Sequence, residues 1–321
     1  MAKAKGKLVC VVGENLADLF VANDGTVVAN PGGGPFNVAR TIARLGQSSM
    51  LFSGLSADAF GRVLHDSLVN DHVELAIPEA LSLPTSLAVI DLVDGIPQYF
   101  FHLDGTAAYA LEESTTRELF SSLSPRVGAL YLGTLGLLVE PMASTGEALF
   151  NDAGDEVIVV LDPNCRPSAV RDEAAFRDRL GRLYQRSDVV KVSTEDLDYL
   201  YPGDDYIVAA REILTAGAKC VVVTDGPAHV HVVHQDGATS IAVPKTEVVD
   251  TVGAGDALVG GLLAWWIGQG FTREDLTNRD LFESAIRAAI TIASSTCTRR
   301  GAEPPYVRDV ENDPAWSWAR E

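Results

Sequence analysis

The chain has 321 residues, of which 47% are hydrophobic and 21% are charged. This balance is typical of a globular protein with a large core, and it excludes an intrinsically disordered chain. The formal net charge of −19 repels polyanions, so we expect neither nucleic acid nor a membrane surface as a partner.

The cysteine content argues against a disulfide or zinc framework. The four cysteines lie far apart in the sequence and include no Cys-x-x-Cys pair. The longest apolar stretch, residues 257–267, is shorter than the ~20 residues needed to span a bilayer. We therefore expect a soluble, cytoplasmic protein that holds any bound phosphate with backbone amides, a cation or a single arginine.

Short segments rich in Val, Ile and Leu predict buried strands. They lie at residues 8–12, 130–132, 157–161, 189–192 and 220–224, and they alternate with helical patterns. One helix is predicted at residues 36–45, with Arg40 and Arg44 on its outer side and Gly46 as its stop. This alternation indicates an α/β fold with a central, mostly parallel sheet and helices on both faces.

Two further segments, residues 86–92 and 96–102, resemble the strands of an antiparallel hairpin with an Asp94-Gly95 turn. Residues 26–29 predict another short strand. Because these segments interrupt the alternation, we expect a small β-sheet at the rim of the main sheet, with strands from about 24–30 and 85–103. Such a sheet can act as a lid on one domain that spans residues 1–321.

Polar residues follow several of the predicted strands. They are Gly13, Glu14 and Asp18 after the first strand, Asp162, Pro163, Asn164 and Arg166 after residues 157–161, and residues 193–196 and 224–226 after the last two. In open α/β sheets, ligands bind beyond the carboxyl ends of the strands. We therefore expect all four groups on one rim.

The strongest functional signal is the sequence Asp-Thr-Val-Gly-Ala-Gly-Asp at residues 250–256, which precedes an apolar helical pattern. Gly253, Ala254 and Gly255 are small enough for the backbone to approach a ligand, and a helix start directs its free amides towards an anion. Asp256 could accept a proton from an attacking hydroxyl group. The alternative, a glycine-rich turn with an Asp cap, fits a short Gly-x-Gly-Asp motif better than this seven-residue context.

A second glycine cluster, Asn-Pro-Gly-Gly-Gly-Pro-Phe-Asn at residues 30–37, precedes the first long helix. By itself it is equally consistent with a loop. Neither cluster continues into Gly-Lys-Ser/Thr, so neither is a Walker loop, and neither completes Gly-x-Gly-x-x-Gly, which disfavours a dehydrogenase.

Together, the two glycine clusters resemble the signature regions of the ribokinase-like (PfkB) carbohydrate kinases. The resemblance covers nearly the whole chain, because residues 162–166, 193–196, 223–226 and 296–302 match as well. It implies a ribokinase-like fold and the transfer of the γ-phosphate of ATP to a sugar hydroxyl group.

The resemblance also implies roles for individual residues. Asp256 would be the catalytic base, with Gly253, Ala254 and Gly255 forming the anion hole. The residues implied to bind the sugar are Asp18, Gly32, Gly33, Gly34, Asn37, Phe101, Asn164 and Arg166. Thr224 and Gly226, together with Gly253 and Gly255, are implied to contact ATP.

Two cation sites and a dimer follow from the same resemblance. Asp196 would act on Mg²⁺, although the family often has Asn and Glu where this chain has Ser193 and Asp196, so a helix-starting carboxylate is the alternative. A monovalent cation, usually K⁺, is implied near Asp250 and the carbonyl group of Val252. A homodimer formed through the lid is also expected.

The residues around the first glycine cluster bear on the identity of the sugar. Relatives that act on ribose or phosphorylated sugars commonly have Gly-Gly-Lys-Gly there, whereas this chain has Gly33-Gly34-Pro35, which fits a neutral hexose better. Three segments, Gly-Gly-x-Pro, Asp-Pro-Asn-x-Arg and Thr-Cys-Thr-Arg, are similar to those of fructokinases. Kinases of 2-keto-3-deoxygluconate often have Tyr-Arg in the lid strand, where this chain has Phe101-His102.

Fructose is therefore the expected substrate, and 2-keto-3-deoxygluconate, other sugars and nucleosides stay open as alternatives, since Arg166 could also bind a carboxylate. A sugar-responsive regulator without catalysis is disfavoured by the intact residues 253–256. His229, His231 and His234 alternate as strand residues do, and we interpret them as structural.

Overall fold

The computed structural model describes residues 6–22, 24–93 and 96–320. The strands are β1 (Leu8–Val12), β2 (Leu16–Val21), β3 (Val27–Gly32), β4 (Ser49–Phe52), β5 (Glu74–Leu75), β6 (Leu87–Val93), β7 (Ile96–His102), β8 (Val127–Gly133), β9 (Ile158–Asp162), β10 (Val189–Ser193), β11 (Cys220–Asp225), β12 (His229–His234) and β13 (Gly237–Ala242). The helices are α1 (Gly34–Arg44), α2 (Ala59–Asn70), α3 (Glu113–Leu123), α4 (Met142–Asp152), α5 (Glu173–Tyr184), α6 (Thr194–Leu200), α7 (Tyr206–Thr215), α8 (Ala254–Gly268), α9 (Arg279–Cys297) and α10 (Val307–Val310). In these ranges, no helix has both the length and the apolar character needed to cross a membrane.

The central sheet has the strand order β13-β12-β11-β10-β9-β8-β1-β4-β5. Its pairs are parallel from β11 to β5, and β12 and β13 join antiparallel at one edge. Successive residues of a strand point to opposite faces. Cys10 and Val12 accordingly belong to one buried cluster, and Val9 and Val11 to another. The predicted α/β fold and all five predicted strands are confirmed.

A separate four-stranded sheet, which we call the lid, has the order β3-β2-β6-β7. Strand β2 pairs parallel with β6 and antiparallel with β3, and β6 pairs antiparallel with β7. The predicted hairpin strands are present, and the Asp94-Gly95 turn between them lies outside the described residues. The structure adds β2, which we did not predict, so Asp18 lies on a strand of the lid and not in a loop after β1.

Helix α8 packs closely against two other helices at a pair of glycines. A Cβ atom on Gly260 would lie 2.5 Å from Cβ of Thr41 in α1, and one on Gly261 would lie 3.0 Å from Cγ1 of Ile292 in α9. Only glycine permits this approach, since it lacks a Cβ atom. Because α1 and α8 each begin within a glycine cluster, their packing brings the two clusters together.

The predicted outer position of Arg40 and Arg44 was wrong, because both side chains are buried. Their Nε atoms lie 2.7 and 2.9 Å from the same carboxylate oxygen of Asp71. Both guanidinium groups also pair with Glu303, at 3.1 and 2.7 Å. The segment that contains Glu303 packs over this side of α1 and supplies the counter-charge that buried arginines require.

Candidate active site

A cleft of about 1190 Å³ lies between the lid and the carboxyl ends of the central strands. The predicted site residues that line it are Asp18, Gly33, Gly34, Asn37, Phe101, Asn164, Arg166, Thr224, Gly226, Val252, Gly253, Ala254, Gly255 and Asp256. Gly32, Asp196 and Asp250 are absent from the described lining. Each of these three instead contacts a residue next to the cleft, as described below.

Asp256 is the point where the two glycine clusters meet. Gly253 adopts a left-handed φ of 77° and caps α8, which places Asp256 in the first turn of the helix. The Asp256 side chain is buried, and its Oδ2 accepts a hydrogen bond of 2.9 Å from Nδ2 of Asn37. Its Oδ1 lies 3.3 Å from the position that a Cβ atom on Gly34 would occupy.

The backbone around the start of α8 is tightly enclosed. A Cβ atom on Gly253 would lie 2.6 Å from Cβ of Ala302, and one on Gly255 would lie 3.0 Å from Nζ of Lys191. The amide of Ala254 donates a hydrogen bond of 3.2 Å to the carbonyl group of Thr251. The two glycines therefore allow both the turn and the close approach of Lys191 to the helix start.

Asp256 and Asp18 are two of the carboxyl groups at the cleft that have raised pKa values. Burial raises the pKa of Asp256, against the lowering effects of the Asn37 hydrogen bond and of the charges on Lys191 and Arg166. Burial, with the nearby charge of Asp256, raises the pKa of Asp18 to about 7, and Arg166 opposes this shift. A raised pKa makes each carboxylate a stronger proton acceptor than an exposed one.

Gly32 supports Asp18 by leaving room for it. A Cβ atom on Gly32 would lie only 2.1 Å from Oδ2 of Asp18. These residues lie on adjacent antiparallel strands of the lid, β3 and β2. A larger residue at position 32 would push the carboxylate out of its present position, so this glycine acts through Asp18.

Glu14 holds the first glycine cluster in place, a role that sequence analysis missed. Its buried carboxylate accepts hydrogen bonds from the amide of Gly34 at 3.2 Å, from the amide of Gly136 at 2.9 Å and from the hydroxyl group of Thr134. Burial raises the pKa of Glu14 to about 7 despite these bonds. The signal was visible, since Glu14 follows a predicted strand, but nothing local indicated its partners.

Lys191 is a second residue that sequence analysis missed. Its Nζ lies 3.2 Å from Oδ2 of Asp162, both side chains are buried, and Lys191 lines the cleft. Burial lowers the pKa of Lys191, but the carboxylates of Asp162, Asp196 and Asp256 together raise it by more, so the lysine stays charged. A lysine inside a strand of valines is the signal that could have identified it, because lysines are rarely buried without a partner.

Arg166 is fixed towards the cleft by the loop after β9. Its Nη1 donates to the backbone carbonyl groups of Asn164 and Cys165, at 3.1 and 3.0 Å, and to Oδ1 of Asn164 at 2.7 Å. Asn164 adopts a positive φ of 38°, which an Asn tolerates better than most residues. The predicted Asp-Pro-Asn-x-Arg segment thus forms one loop that holds the positively charged Arg166 side chain at the cleft.

Asp196 caps a helix. Its Oδ1 accepts from the amide of Cys165 at 2.7 Å, and its Oδ2 accepts from the amide of Ser193 at 2.8 Å. The Ser193 hydroxyl oxygen in turn accepts from the amide of Asp196 at 3.0 Å, which completes a capping box at the start of α6. This geometry favours the capping alternative, and the metal role of Asp196 stays a prediction. Of these two neighbouring acidic residues, Glu195 lines the cleft and Asp196 is absent from the described lining.

Asp250 joins two loops beside the start of α8. Its Oδ1 accepts from the amide of Val252 at 3.1 Å, and its Oδ2 accepts from the amide of Gly301 at 2.9 Å. The cation role of Asp250 and Val252 stays a prediction. Thr224 and Gly226 also line the cleft. Thr224 is the last residue but one of β11, and Gly226, in the following turn, has a φ of 47°.

The chain is similar to several known proteins. Residues 7–308 match the profile described as pfkB family carbohydrate kinase. A fructokinase of Rhizobium leguminosarum bv. trifolii is 34% identical over 233 residues, which is 73% of this chain and 70% of the relative. A fructokinase of Salmonella typhimurium is 30% identical over 312 residues, which is 94% of this chain and 97% of the relative.

Several solved structures are also similar to this chain. Fructokinase with bound ATP from Xylella fastidiosa has a TM-score of 0.85 at 25% identity and covers 98% of each chain. Fructokinase from Vibrio cholerae O395 bound to fructose, ADP and a calcium ion has a TM-score of 0.78 at 25% identity, over 93% of this chain and 95% of the other. A double mutant of that enzyme, bound to fructose, ADP and a potassium ion, has a TM-score of 0.77 at 25% identity, over 94% and 95%.

Proposed function

Because the chain belongs to the pfkB family of carbohydrate kinases, we propose that it transfers the γ-phosphate of ATP to a hydroxyl group of fructose. Membership of the family makes it a phosphotransferase with an alcohol group as acceptor. The observation that carries the proposal is the buried Asp256 carboxylate at the start of α8, hydrogen-bonded to Asn37 of the other glycine cluster.

The proposed chemistry takes place at the start of α8. Asp256 accepts the proton of the attacking sugar hydroxyl group, and its raised pKa favours this role. The amides of Gly253, Ala254 and Gly255 stabilise charge on the transferred phosphoryl group, helped by the positive end of the helix dipole. An incoming phosphoryl oxygen would compete with the Thr251 carbonyl group for the amide of Ala254.

The sugar end of the site lies against the lid. Asp18 and Asn37 can bind sugar hydroxyl groups, and Gly33 and Gly34 leave room for the ring. The rings of Tyr99 and Phe101 stack with their centroids 6.0 Å apart and form an apolar wall. Fructose is bound in the Vibrio cholerae neighbour, which supports this choice of sugar. The lysine found in the first glycine cluster of ribose-type relatives is absent from residues 30–37, which also favours a neutral sugar.

The nucleotide end lies between Thr224, Gly226 and the start of α8. ATP is bound in a fructokinase neighbour, which supports ATP as the phosphoryl donor. We propose Mg²⁺ as the phosphate-bound metal, with Glu195 on the cleft wall as a candidate in addition to Asp196, because magnesium prefers carboxylate and water oxygens. We propose K⁺ beside Asp250 and the Val252 carbonyl group.

A coupled ADP-release assay tests this function. The panel contains fructose, 2-keto-3-deoxygluconate, ribose, tagatose, phosphorylated sugars and nucleosides, each assayed with ATP and Mg²⁺ in K⁺ buffer. We expect fructose to give the highest kcat/KM, turnover to require Mg²⁺, and replacement of K⁺ by a tetraalkylammonium ion to lower the rate.

The same panel distinguishes the alternatives. Higher kcat/KM with 2-keto-3-deoxygluconate would assign Arg166 to a substrate carboxylate, and preference for a nucleoside would contradict the sugar assignment. Sugar binding without any ADP release would point to a regulator that has lost catalysis. An unchanged rate without K⁺ would remove the monovalent-cation proposal alone.

We also propose that residues 1–321 act as one kinase domain, in the cytoplasm, and that two copies associate through the lid. The lid exposes large apolar side chains on both of its faces, and exposed apolar surface of this kind marks an interaction surface. They are Phe20, Val27, Val28, Tyr99 and Phe100, each between 37% and 54% exposed.

We expect the double variant Val27→Lys/Val28→Lys to be monomeric, because β3 is an edge strand of the lid and charges on both its faces oppose burial in an interface. Light scattering of the eluting protein measures the mass. Val208→Lys, on α7 and 49% exposed, is the matched control and should elute as the wild type does. A monomeric wild type, or an unchanged mass for the β3 variant, contradicts a dimer through the lid.

A further inference from the structure

Three side chains with metal-binding atoms converge beyond the nucleotide end of the cleft. Strands β11 and β12 pair antiparallel, with Asp225 directly opposite His229. His231 lies two residues further along β12 and therefore on the same face as His229. One ligand atom of each residue lies within 4.8 Å of the ligand atoms of the other two. We call these three residues the β11–β12 cluster.

His231 has one engaged and one free ring nitrogen. Its Nδ1 lies 2.7 Å from the hydroxyl oxygen of Ser240 on β13. Its Nε2 is buried and has no hydrogen-bond partner among the described residues, although His231 is only 4% exposed. Buried polar atoms are nearly always paired, so an atom without a partner requires an explanation. A metal ion at Nε2 supplies one.

The bond between His231 and Ser240 is the arrangement that metal-binding histidines usually have. The hydrogen bond to Ser240 holds the orientation of the ring, and when Nδ1 is the donor, Nε2 is left for the metal. The ring of Tyr206 packs against His231 with the centroids 4.7 Å apart, which further restrains it.

The donor set selects a class of metal. Two imidazole nitrogens and one carboxylate suit zinc and similar divalent transition ions, whereas magnesium prefers oxygen ligands throughout. Three protein ligands leave a fourth position for water or another ligand. The carboxylates of Asp225 and Asp205 also supply a negative potential around His231.

We propose that Asp225, His229 and His231 bind a zinc-type divalent ion, at a site distinct from that of the phosphate-bound magnesium. The ion links β11 to β12 on the two sides of the turn at residues 226–228, and all three turn residues line the cleft. Binding therefore stabilises the folded state and fixes the turn. This inference does not depend on which sugar, if any, the protein phosphorylates.

Calorimetric titration of the full-length, chelator-treated protein with Zn²⁺ tests the site, with excess Mg²⁺ present to occupy oxygen-only sites. We expect one high-affinity Zn²⁺ per chain and a rise in the unfolding temperature that grows with Zn²⁺ concentration. His229→Gln and His231→Gln should each weaken the affinity by at least about tenfold. His234→Gln is the matched control, because His234 lies on the same strand with its side chain on the opposite face.

Two outcomes overturn the proposal. One is a wild type that binds no Zn²⁺ when Mg²⁺ is present, and the other is equal Zn²⁺ affinity in the wild type and in the His229 and His231 variants, which would place the ion elsewhere. If His231→Gln fails to fold, His229→Gln decides the question, since His229 is exposed and its substitution leaves the core intact. Binding is measured without phosphoryl transfer, so failure here is separate from failure of the kinase assignment.

Discussion

Replacement of Asp256 by Asn is expected to lower kcat by about 10²–10⁴-fold, the usual contribution of a general base. The amide keeps the shape of the carboxylate but cannot accept the proton of the sugar hydroxyl group. The Asn side chain also removes a buried charge, and burial of a charge is energetically unfavourable. We therefore expect little loss of folding stability. Steady-state kinetics together with thermal unfolding measure the two effects.

Asp280→Asn is the matched control for this variant. Asp280 is also an acidic residue in the first turn of a helix, α9, but it is exposed and lies outside the described lining of the cleft. Its replacement should leave kcat unchanged. If Asp256→Asn retains more than about a tenth of wild-type kcat, Asp256 is not the base.

The pH profile of the wild type gives a second measure of the same base. Protonation inactivates a general base, so kcat/KM falls as the pH drops through its pKa. Burial raises the pKa of Asp256, and burial with the charge of Asp256 raises that of Asp18 to about 7. Both shifts have the same direction, so the acid limb should lie above the usual range of Asp. An acid limb near pH 4 would contradict this.

Gly253→Ala is expected to lower kcat by about 10²–10³-fold, the effect of losing one anion-hole donor. The new methyl group would lie 2.6 Å from Cβ of Ala302, so the start of α8 must shift and its amides lose their alignment. We also expect a lower free energy of unfolding. The left-handed φ of 77° contributes about 1–2 kcal/mol to this loss and the overpacking about 1–3 kcal/mol.

Two companion variants separate these causes. Gly270→Ala introduces the same methyl group at a φ of 80° just beyond the other end of α8, where no atom lies within 4 Å, so it should show the backbone cost without the loss of kcat. Ala302→Gly, combined with Gly253→Ala, removes the clashing methyl group and should restore part of the activity. Normal activity in Gly253→Ala would show that the helix start does not need its present position.

Local sequence was sufficient for the main elements of the fold. The buried strands were predictable because both their faces are covered, so they appear as continuous apolar segments. Strand β2 was missed because it carries Asp18 at its centre, and because its partner strand β6 comes from a segment far along the chain. The burial of Arg40 was missed for the same reason, since Glu303 and Asp71 are distant in sequence.

The Asp-Thr-Val-Gly-Ala-Gly-Asp sequence at residues 250–256 was sufficient to predict the proposed base and the helix start beside it, because the glycines, the helix start and the carboxylate all lie within seven neighbouring residues. The tertiary structure decided what surrounds that carboxylate. Asn37 reaches Asp256 through the packing of α1 on α8, Lys191 comes from the middle of the sheet, and Asp18 comes from the lid. Contacts between distant segments depend on how elements pack, and no local pattern records that packing.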